Sequence, residues 1–307
     1  MADRRLRCPG GSSTPSGRTA IPAGDILIEG AGYTPADNRL PGPLPQPPGP
    51  RCKGAGLRTI AISNYKGGVG KTTTAVNLSS IFAARGMRVL LVDLDPQASA
   101  TDFFGLYEDA ARGSSVDLLY RDAPVLSAAH ETGTENLWCV PSTIDLIDQN
   151  ELMLREQRLR FALDDASGDF DVAVIDCSPT LKRLAFNAYV AAAADGMVVI
   201  PVKLDATVMR GTAFTVNAIR SISDALRIPV PEWRILRTCV PGRMTKSERI
   251  GAEVLDANFP GMQFQTVIHQ SAKVGEGSWQ WAPVVEFNPG SRPAKDYLAL
   301  AEEVLHG

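Results

Sequence analysis

The sequence predicts an α/β fold in which a mainly parallel, twisted sheet lies between two layers of helices. From Leu57 onward, short apolar runs alternate with longer stretches of helical periodicity, as in sheets whose parallel strands are connected by helices. A glycine-rich segment lies between the first strand and the first helix, and acidic residues follow two later strands. In sheets of this kind, the carboxyl ends of the strands form the edge where ligands bind.

Seven short apolar segments, bounded by turn signals, are predicted to form the strands. They are Thr59–Ser63, Arg88–Val92, Leu137–Val140, Val172–Ile175, Gly196–Pro201, Arg234–Val240 and Phe264–Ile268. Helical stretches connect them, including Thr72–Arg85 and Ala206–Leu226. These elements assign residues 57–307 to one folded domain.

Residues 1–56 differ sharply in composition from the rest of the chain. They hold ten of the 22 prolines and ten of the 27 glycines, including the run PGPLPQPPGP at positions 41–50. Such segments favour extended conformations and build no hydrophobic face, so we expect a disordered tail. The tail carries a net charge of +3 and the remaining residues −6. Three interpretations remain open: an inert spacer, a basic arm that contacts DNA or a partner, and a translation start later than Met1.

The overall composition excludes several classes of protein. A formal net charge of −3 is not that of a polycation that coats nucleic acid, so any DNA contact must come from a local patch. The five cysteines are scattered singly, and His130, His269 and His306 form no metal-binding pattern. No segment approaches the ~18 apolar residues of a membrane span, and the N-terminus lacks the apolar region of a secretory signal. We therefore expect a cytoplasmic protein.

The strongest pattern is KGGVGKTT at residues 66–73, which directly follows the first strand and opens the first helix. Glycines let successive backbone amides converge on phosphate oxygens, and the helix N-terminus adds its positive end. Lys71 supplies a positive charge, the Thr72 hydroxyl is expected on Mg²⁺, and Thr73 is available for a further phosphate. The predicted nucleotide-binding residues are Lys66, Gly67, Gly68, Val69, Gly70, Lys71, Thr72 and Thr73.

This loop is a variant of the general pattern GxxxxGK[ST], because Tyr65 stands where the first glycine is expected. Lys66 lies five residues before Lys71. If two such loops face one another, Lys66 lies too near the phosphates to be an ordinary surface charge.

Carboxylates follow two of the predicted strands. Asp93 and Asp95 end the second strand, in VDLDPQ, and Asp176 ends the strand in FDVAVID. Because acids at such positions serve the metal and the water of phosphoryl transfer, Thr72, Asp176 and Asp93 are assigned to Mg²⁺. Asp95 is expected to orient the attacking water. The predicted fold is therefore the three-layer fold of P-loop NTPases, with Lys66, Lys71 and Asp95 as catalytic residues.

The motifs together resemble the ParA family of partition ATPases, which belong to the deviant-loop group of P-loop ATPases. The resemblance rests on the loop, on VDLDPQASAT at 92–101 and on DCSPT at 176–180, and it continues through VVIPVKLDATVMRG at 198–211 to PGSRPAKDYLALAEEV at 289–304. It implies an ATPase with ATP and Mg²⁺ as cofactors. It also implies an ATP-bound sandwich homodimer in which Lys66 reaches the partner's nucleotide.

The same resemblance implies a partition cycle. The ATP-bound dimer would bind DNA without sequence preference and so associate with the nucleoid. A ParB-like centromere-binding partner would stimulate hydrolysis and drive plasmid or chromosome segregation. The family's Pro-Arg-Asn run near the base pocket is replaced here by His269-Gln270-Ser271. We therefore assign no residue of this chain to contact adenine.

A patch for DNA phosphates is predicted at Arg243, Lys246 and Arg249, which are three apart and would share one face of a helix, together with Lys273. Trp279 and Trp281 are expected to be packing residues in a loop before Pro283, with base stacking as the alternative.

The C-terminal segment carries acids and no basic face, so we expect it to pack on the core and not on a membrane. Two other functions remain open. One is a ParA-like switch that positions a protein cargo without segregating DNA, and the other is a metabolic ATP-dependent enzyme of the same superfamily.

Overall fold

The computed structural model describes residues 56–149, 156–180 and 182–306. The predicted tail lies outside these residues except for Gly56, so its disorder stays a prediction. Within the described residues, seven strands form one sheet in the order β3-β4-β2-β5-β1-β6-β7, with every neighbouring pair parallel except β3 and β4. They are β1 (Arg58–Ile62), β2 (Val89–Leu94), β3 (His130–Glu131), β4 (Leu137–Val140), β5 (Val172–Cys177), β6 (Met197–Lys203) and β7 (Glu232–Thr238).

Twelve α-helices lie within the same residues, together with one turn of 3₁₀-helix at Asp109–Ala111. They are α1 (Lys71–Ala84), α2 (Ser99–Phe103), α3 (Ser115–Tyr120), α4 (Val125–Ala128), α5 (Leu146–Gln149), α6 (Arg158–Asp165), α7 (Lys182–Ala191), α8 (Val208–Leu226), α9 (Lys246–Asn258), α10 (Ala272–Trp279), α11 (Val284–Phe287) and α12 (Arg292–His306).

The sheet is buried on both faces. Alternate side chains of a strand point to opposite faces, and on β1 the side chains of Ile60 and Ile62 join a cluster with α1 and α12, while Ala61 joins one with α6, α7 and α8. Two buried faces account for the nearly continuous apolar runs of β1, β2 and β5. The predicted three-layer α/β fold is confirmed.

The C-terminal helix packs on the core, as predicted. Residues of α12 spaced three and four apart are buried, including Tyr297, Leu300 and Val304. They cover α1, and the Tyr297 hydroxyl lies 3.4 Å from the Thr74 hydroxyl of that helix. Arg58 at the start of β1 donates to the Leu305 carbonyl, at 2.9 Å.

The predicted strand at Phe264–Ile268 is wrong. The segment runs beside β7, but it pairs only at isolated points, between Ile235 and Gln263 and between Val240 and His269. The amides of residues 265 and 266 instead donate to the Glu303 carboxylate on α12. The Glu303 carboxylate thus accepts hydrogen bonds from backbone amides that a continuous strand would use to pair with its neighbour.

Candidate nucleotide-binding site

The glycine-rich loop connects the centre of the sheet to the N-terminus of α1. Gly68 and Gly70 have φ angles of 69° and 84°, a region that strongly favours glycine. The loop is anchored to the sheet, because the Thr238 hydroxyl of β7 donates to the carbonyl of Val69, at 2.8 Å. Gly70 is the residue before α1, so the helix N-terminus, with its unused amides, opens directly on the loop.

Lys71 is a buried cation inside this loop. Only 7% of the residue is exposed, and its ammonium donates to the carbonyl of Lys66, at 2.9 Å. Burial lowers the pKa of Lys71, while the charges of Asp176 and Asp95 partly offset that effect. A buried ammonium at a helix N-terminus attracts anions, and a polyphosphate is an anion of this kind.

Two buried carboxylates lie side by side at the adjoining strand ends. Asp93 of β2 and Asp176 of β5 are neighbours in the parallel register, and both are almost completely buried. Burial, and then the charge of Asp93, raises the pKa of Asp176 well above its usual value. Thr72 and Lys71 favour the charged form of Asp176, but in the described part of the chain neither of its oxygens has a hydrogen-bond partner.

Both carboxylate oxygens of Asp93, in contrast, accept hydrogen bonds from the segment that follows β2. Its Oδ1 accepts from the Asp95 amide at 2.9 Å, and its Oδ2 accepts from the Thr101 amide at 2.9 Å and the Thr101 hydroxyl at 2.8 Å. Burial raises the pKa of Asp93 to about 6, although these three hydrogen bonds act in the opposite direction. This carboxylate therefore shapes the loop that carries Asp95.

The unpartnered carboxylate decides whether the site fits Mg²⁺. An ionised buried group without a partner is costly, and Mg²⁺ is a cation that carboxylate, hydroxyl and water oxygens bind. Asp176 and the adjacent Thr72 hydroxyl therefore fit the ion, directly or through water. The Asp93 oxygens already accept hydrogen bonds from three donors, so the predicted assignment of Asp93 to Mg²⁺ does not fit this geometry.

Three polar residues that sequence reasoning left without a role support these acids. The Thr101 hydroxyl also accepts from the Ser142 amide, at 2.8 Å, and the Ser115 hydroxyl donates to the Asp93 carbonyl, also at 2.8 Å. All three residues are buried. Thr101 ends the VDLDPQASAT motif, but only the fold shows that it joins the ends of β2 and β4.

Comparisons with known proteins show the family of this chain. A family model described as an AAA domain matches residues 57–230. The chain is 37% identical over 252 residues to the chromosome-partitioning ATPase Soj of Thermus thermophilus, covering 82% of this chain and 96% of that protein. It is 34% identical over 255 residues to the chromosome partitioning protein ParA of Caulobacter vibrioides, covering 81% and 94%. This chain belongs to the ParA family.

A solved structure related to this ParA-family chain carries a nucleotide and a metal. Cobyrinic acid a,c-diamide synthase from Mycobacterium smegmatis, with bound ADP and magnesium, is 30% identical. The match covers 81% of this chain and 94% of that one, with a TM-score of 0.66. The ParA-family chain described here is thus a P-loop ATPase.

Asp95 follows Asp93 in a tight turn. The residue is half-buried, its carboxylate accepts from the Gln97 amide at 3.1 Å, and its carbonyl accepts from the Ala98 amide at 2.7 Å. Ala98 has a φ of 53°, and α2 begins after it. Asp95 therefore lies on a short, well-defined turn near Lys71.

Lys66 of this ParA-family chain does not contact the other loop residues through its ammonium. Its Nζ is ion-paired with Asp205 and donates to the Thr207 hydroxyl at 2.8 Å. Both partners lie between β6 and α8. The VKLDATVMRG stretch belongs to the family resemblance, yet nothing in the sequence pattern pointed to this contact.

The predicted DNA-binding residues are exposed or half-exposed, but they do not share one helical face. A Thr245–Glu248 capping box starts α9 at Lys246, so Arg243 lies in the preceding loop. The sequence TKSE contained this signal. Lys273, the second residue of α10, is ion-paired with Glu276.

The prediction that Trp279 and Trp281 are packing residues is wrong. They are 84% and 60% exposed. The buried residue of α10 is Gly277, whose added Cβ would lie 2.9 Å from the Ala282 carbonyl and 3.6 Å from the Phe287 ring. On α10 the buried position is thus taken by a glycine and not by Trp279.

Among the described residues, His, Cys, Asp and Glu side chains form no group of three or more that could hold a metal ion. None of the described helices is long and apolar enough to span a membrane.

Proposed function

We propose that this ATPase is a Mg²⁺-dependent DNA partition switch. In its ATP-bound state, two copies form a sandwich dimer that binds DNA without sequence preference. Hydrolysis, stimulated by a ParB-like partner, releases the DNA and drives plasmid or chromosome segregation. The protein would be cytoplasmic and associated with the nucleoid when ATP is bound. The observation that carries the proposal is the buried Lys71 beside the unpartnered Asp176 carboxylate.

The residues of the loop would hold the triphosphate. The amides of residues 67–73 and the Lys71 ammonium bind phosphate oxygens, while Thr73 is placed for a further phosphate. Thr72 and Asp176 would hold Mg²⁺, which neutralises charge on the phosphates when bound. Asp93 keeps the turn that carries Asp95 in position.

Asp95 would orient the water that attacks the γ-phosphate, and Lys66 of a second copy would add positive charge to the transferred group. Lys71→Ala should abolish nucleotide binding. Asp95→Ala should retain ATP and DNA binding but slow turnover, because orientation of the water is lost. Turnover equal to that of the unsubstituted protein in Asp95→Ala would refute its role.

DNA binding would come from the positive groups at the β7 end of the sheet. Arg243, Lys246 and Arg249 are exposed. Val240 and His269 pair by an isolated bridge. The segments that carry Arg243 and Lys273 therefore leave the sheet at the same point. Phosphate contacts of this kind weaken steeply with salt. A dimer would present two such patches, which would oppose the repulsion from the negative body.

The test is binding of a random-sequence DNA duplex with ADP, with a slowly hydrolysed ATP analogue, and without nucleotide, each at two salt concentrations. Tight, salt-sensitive binding only with the ATP analogue supports the proposal, and Arg249→Glu should then weaken it. Absence of binding in every state, with ATPase activity intact, would refute a DNA switch and favour the positioning of a protein cargo.

A further inference from the structure

Lys66 makes a side-chain contact that lies outside the nucleotide site. This side chain is predicted to act on the nucleotide of a second copy, yet here it is held within its own subunit. Its ammonium is ion-paired with Asp205 and donates to the Thr207 hydroxyl, at 2.8 Å. The Lys66 side chain remains partly exposed, at 29%, and that of Asp205 at 37%.

Asp205 is prepared to receive this ammonium. The Thr207 amide and hydroxyl donate to its Oδ1, at 2.9 and 2.8 Å, and its Oδ2 accepts from Lys66. Burial acts against ionisation, but the hydrogen bonds from Lys66 and Thr207 outweigh it and lower the pKa of Asp205. The Thr207 amide and hydroxyl thus orient the Asp205 carboxylate independently of Lys66.

The backbone of Lys66 is held separately from its side chain. The Lys66 amide donates to the Asn64 side chain at 3.0 Å, and Asn64 donates to the Pro201 carbonyl at 2.7 Å. The Lys66 carbonyl accepts from Lys71. The Lys66 side chain can therefore rotate away from Asp205 while these loop contacts remain.

We propose that Asp205 and Thr207 form a latch that keeps Lys66 on its own subunit until the ATP-bound dimer forms. The inference rests on the proposed function, in which Lys66 reaches the partner's nucleotide. One ammonium cannot occupy both positions, so each protomer must open its latch when the dimer closes. Asp205 is thus a positioning residue that opposes dimerisation and sets the protein concentration at which ATP assembles the switch.

The size of the effect follows from the exposure of the pair. Exposed ion pairs change an equilibrium by about 1.4- to fivefold. Because a symmetric dimer opens two latches, loss of Asp205 should tighten ATP-dependent dimerisation by the square of that factor, about two- to 25-fold. Dimerisation with ADP should change much less, because no γ-phosphate then competes for Lys66.

The experiment measures the dimer dissociation constant of full-length Asp205→Asn by sedimentation velocity, with Mg²⁺ and a slowly hydrolysed ATP analogue or with ADP. Asp224→Asn, an exposed aspartate near the other end of α8, is the matched control for the change in charge. Thr207→Val, which keeps Asp205 but removes one acceptor for Lys66, should shift the constant in the same direction by a smaller factor. Far-UV circular dichroism and thermal unfolding check that each variant is folded.

A double-mutant cycle tests whether Asp205 acts through Lys66. In a Lys66→Ala background, the Asp205→Asn change should have no effect on the dimer. An unchanged or weaker dimer in Asp205→Asn, with the unsubstituted protein dimerising normally, would overturn the latch. Failure of the unsubstituted protein to dimerise with the ATP analogue would instead overturn the proposed function.

Discussion

Thr101→Val is the change that best tests how the site is built. Thr101 is completely buried, and its hydroxyl donates to Asp93 and accepts from the Ser142 amide, both at 2.8 Å. Valine has nearly the same shape, so the substitution removes the two hydrogen bonds and leaves little room for repacking. Both the free energy of unfolding and the position of Asp95 depend on these bonds.

The magnitude follows from the two partners. Loss of a hydrogen bond to a charged acceptor costs about 2 kcal/mol, and the buried Ser142 amide left without an acceptor costs about 2 kcal/mol more. Their sum, about 4 kcal/mol, lowers Tm by about 8 to 16 °C in a domain of this size. The rate of ATP hydrolysis should also fall by more than the affinity for ATP, because Asp95 loses part of its support.

Chemical unfolding and thermal scanning measure the first effect, and steady-state turnover with nucleotide titration measures the second. Thr212→Val is the matched control, because Thr212 is equally buried but its hydroxyl donates only to the Val208 carbonyl of its own helix, at 2.8 Å. That change should cost at most about 1 kcal/mol. An equal loss of stability in both variants would refute the special role assigned to the Asp93–Thr101 contact.

Three further predictions concern stability. Gly196→Ala should cost about 3 kcal/mol or more in chemical unfolding, since its Cβ would lie 2.1 Å from the Thr59 carbonyl, whereas Gly168→Ala, with open space, should be nearly neutral. Asp176→Asn should raise Tm in EDTA by several degrees, because it removes a buried carboxyl group whose ionisation is opposed by burial and by the charge of Asp93, and abolish Mg²⁺-dependent turnover; a lower Tm would contradict this account. Burial raises the pKa of Asp93 to about 6 from 3.8, so stability in EDTA should fall by about 3 kcal/mol as pH rises from about 4 to about 6. Unfolding midpoints should show a smaller fall in Asp93→Asn.

Most of the fold could be predicted because its signals are local. The apolar runs of the central strands, such as Val172–Cys177, are long enough to read without tertiary information, and the glycine-rich loop marks the start of α1. The segment near Phe264 misled the prediction because Glu303, almost forty residues later, takes the donors that a strand would use. β3 has only two residues and no recognisable pattern.

The candidate site also contains residues that the sequence indicates and contacts that only the fold shows. Residue type and spacing indicated Lys71 and Asp176, and the structure brings these two together. The contacts of Asp93 with Thr101, and of Lys66 with Asp205, depend on how distant loops meet at the sheet edge. The exposure of Trp279 has a similar origin, because Gly277 takes the buried position on α10.

The packing of α12 on α1 has a consequence for synthesis of the protein. Helix α1, which follows the phosphate loop, is mostly buried. Residues 292–306, more than two hundred positions later in the chain, cover part of it. Until residues 292–306 have been synthesised and have left the ribosome, α1 lacks this cover. A nascent chain that stops short of α12 therefore exposes apolar side chains of the helix that follows the phosphate loop.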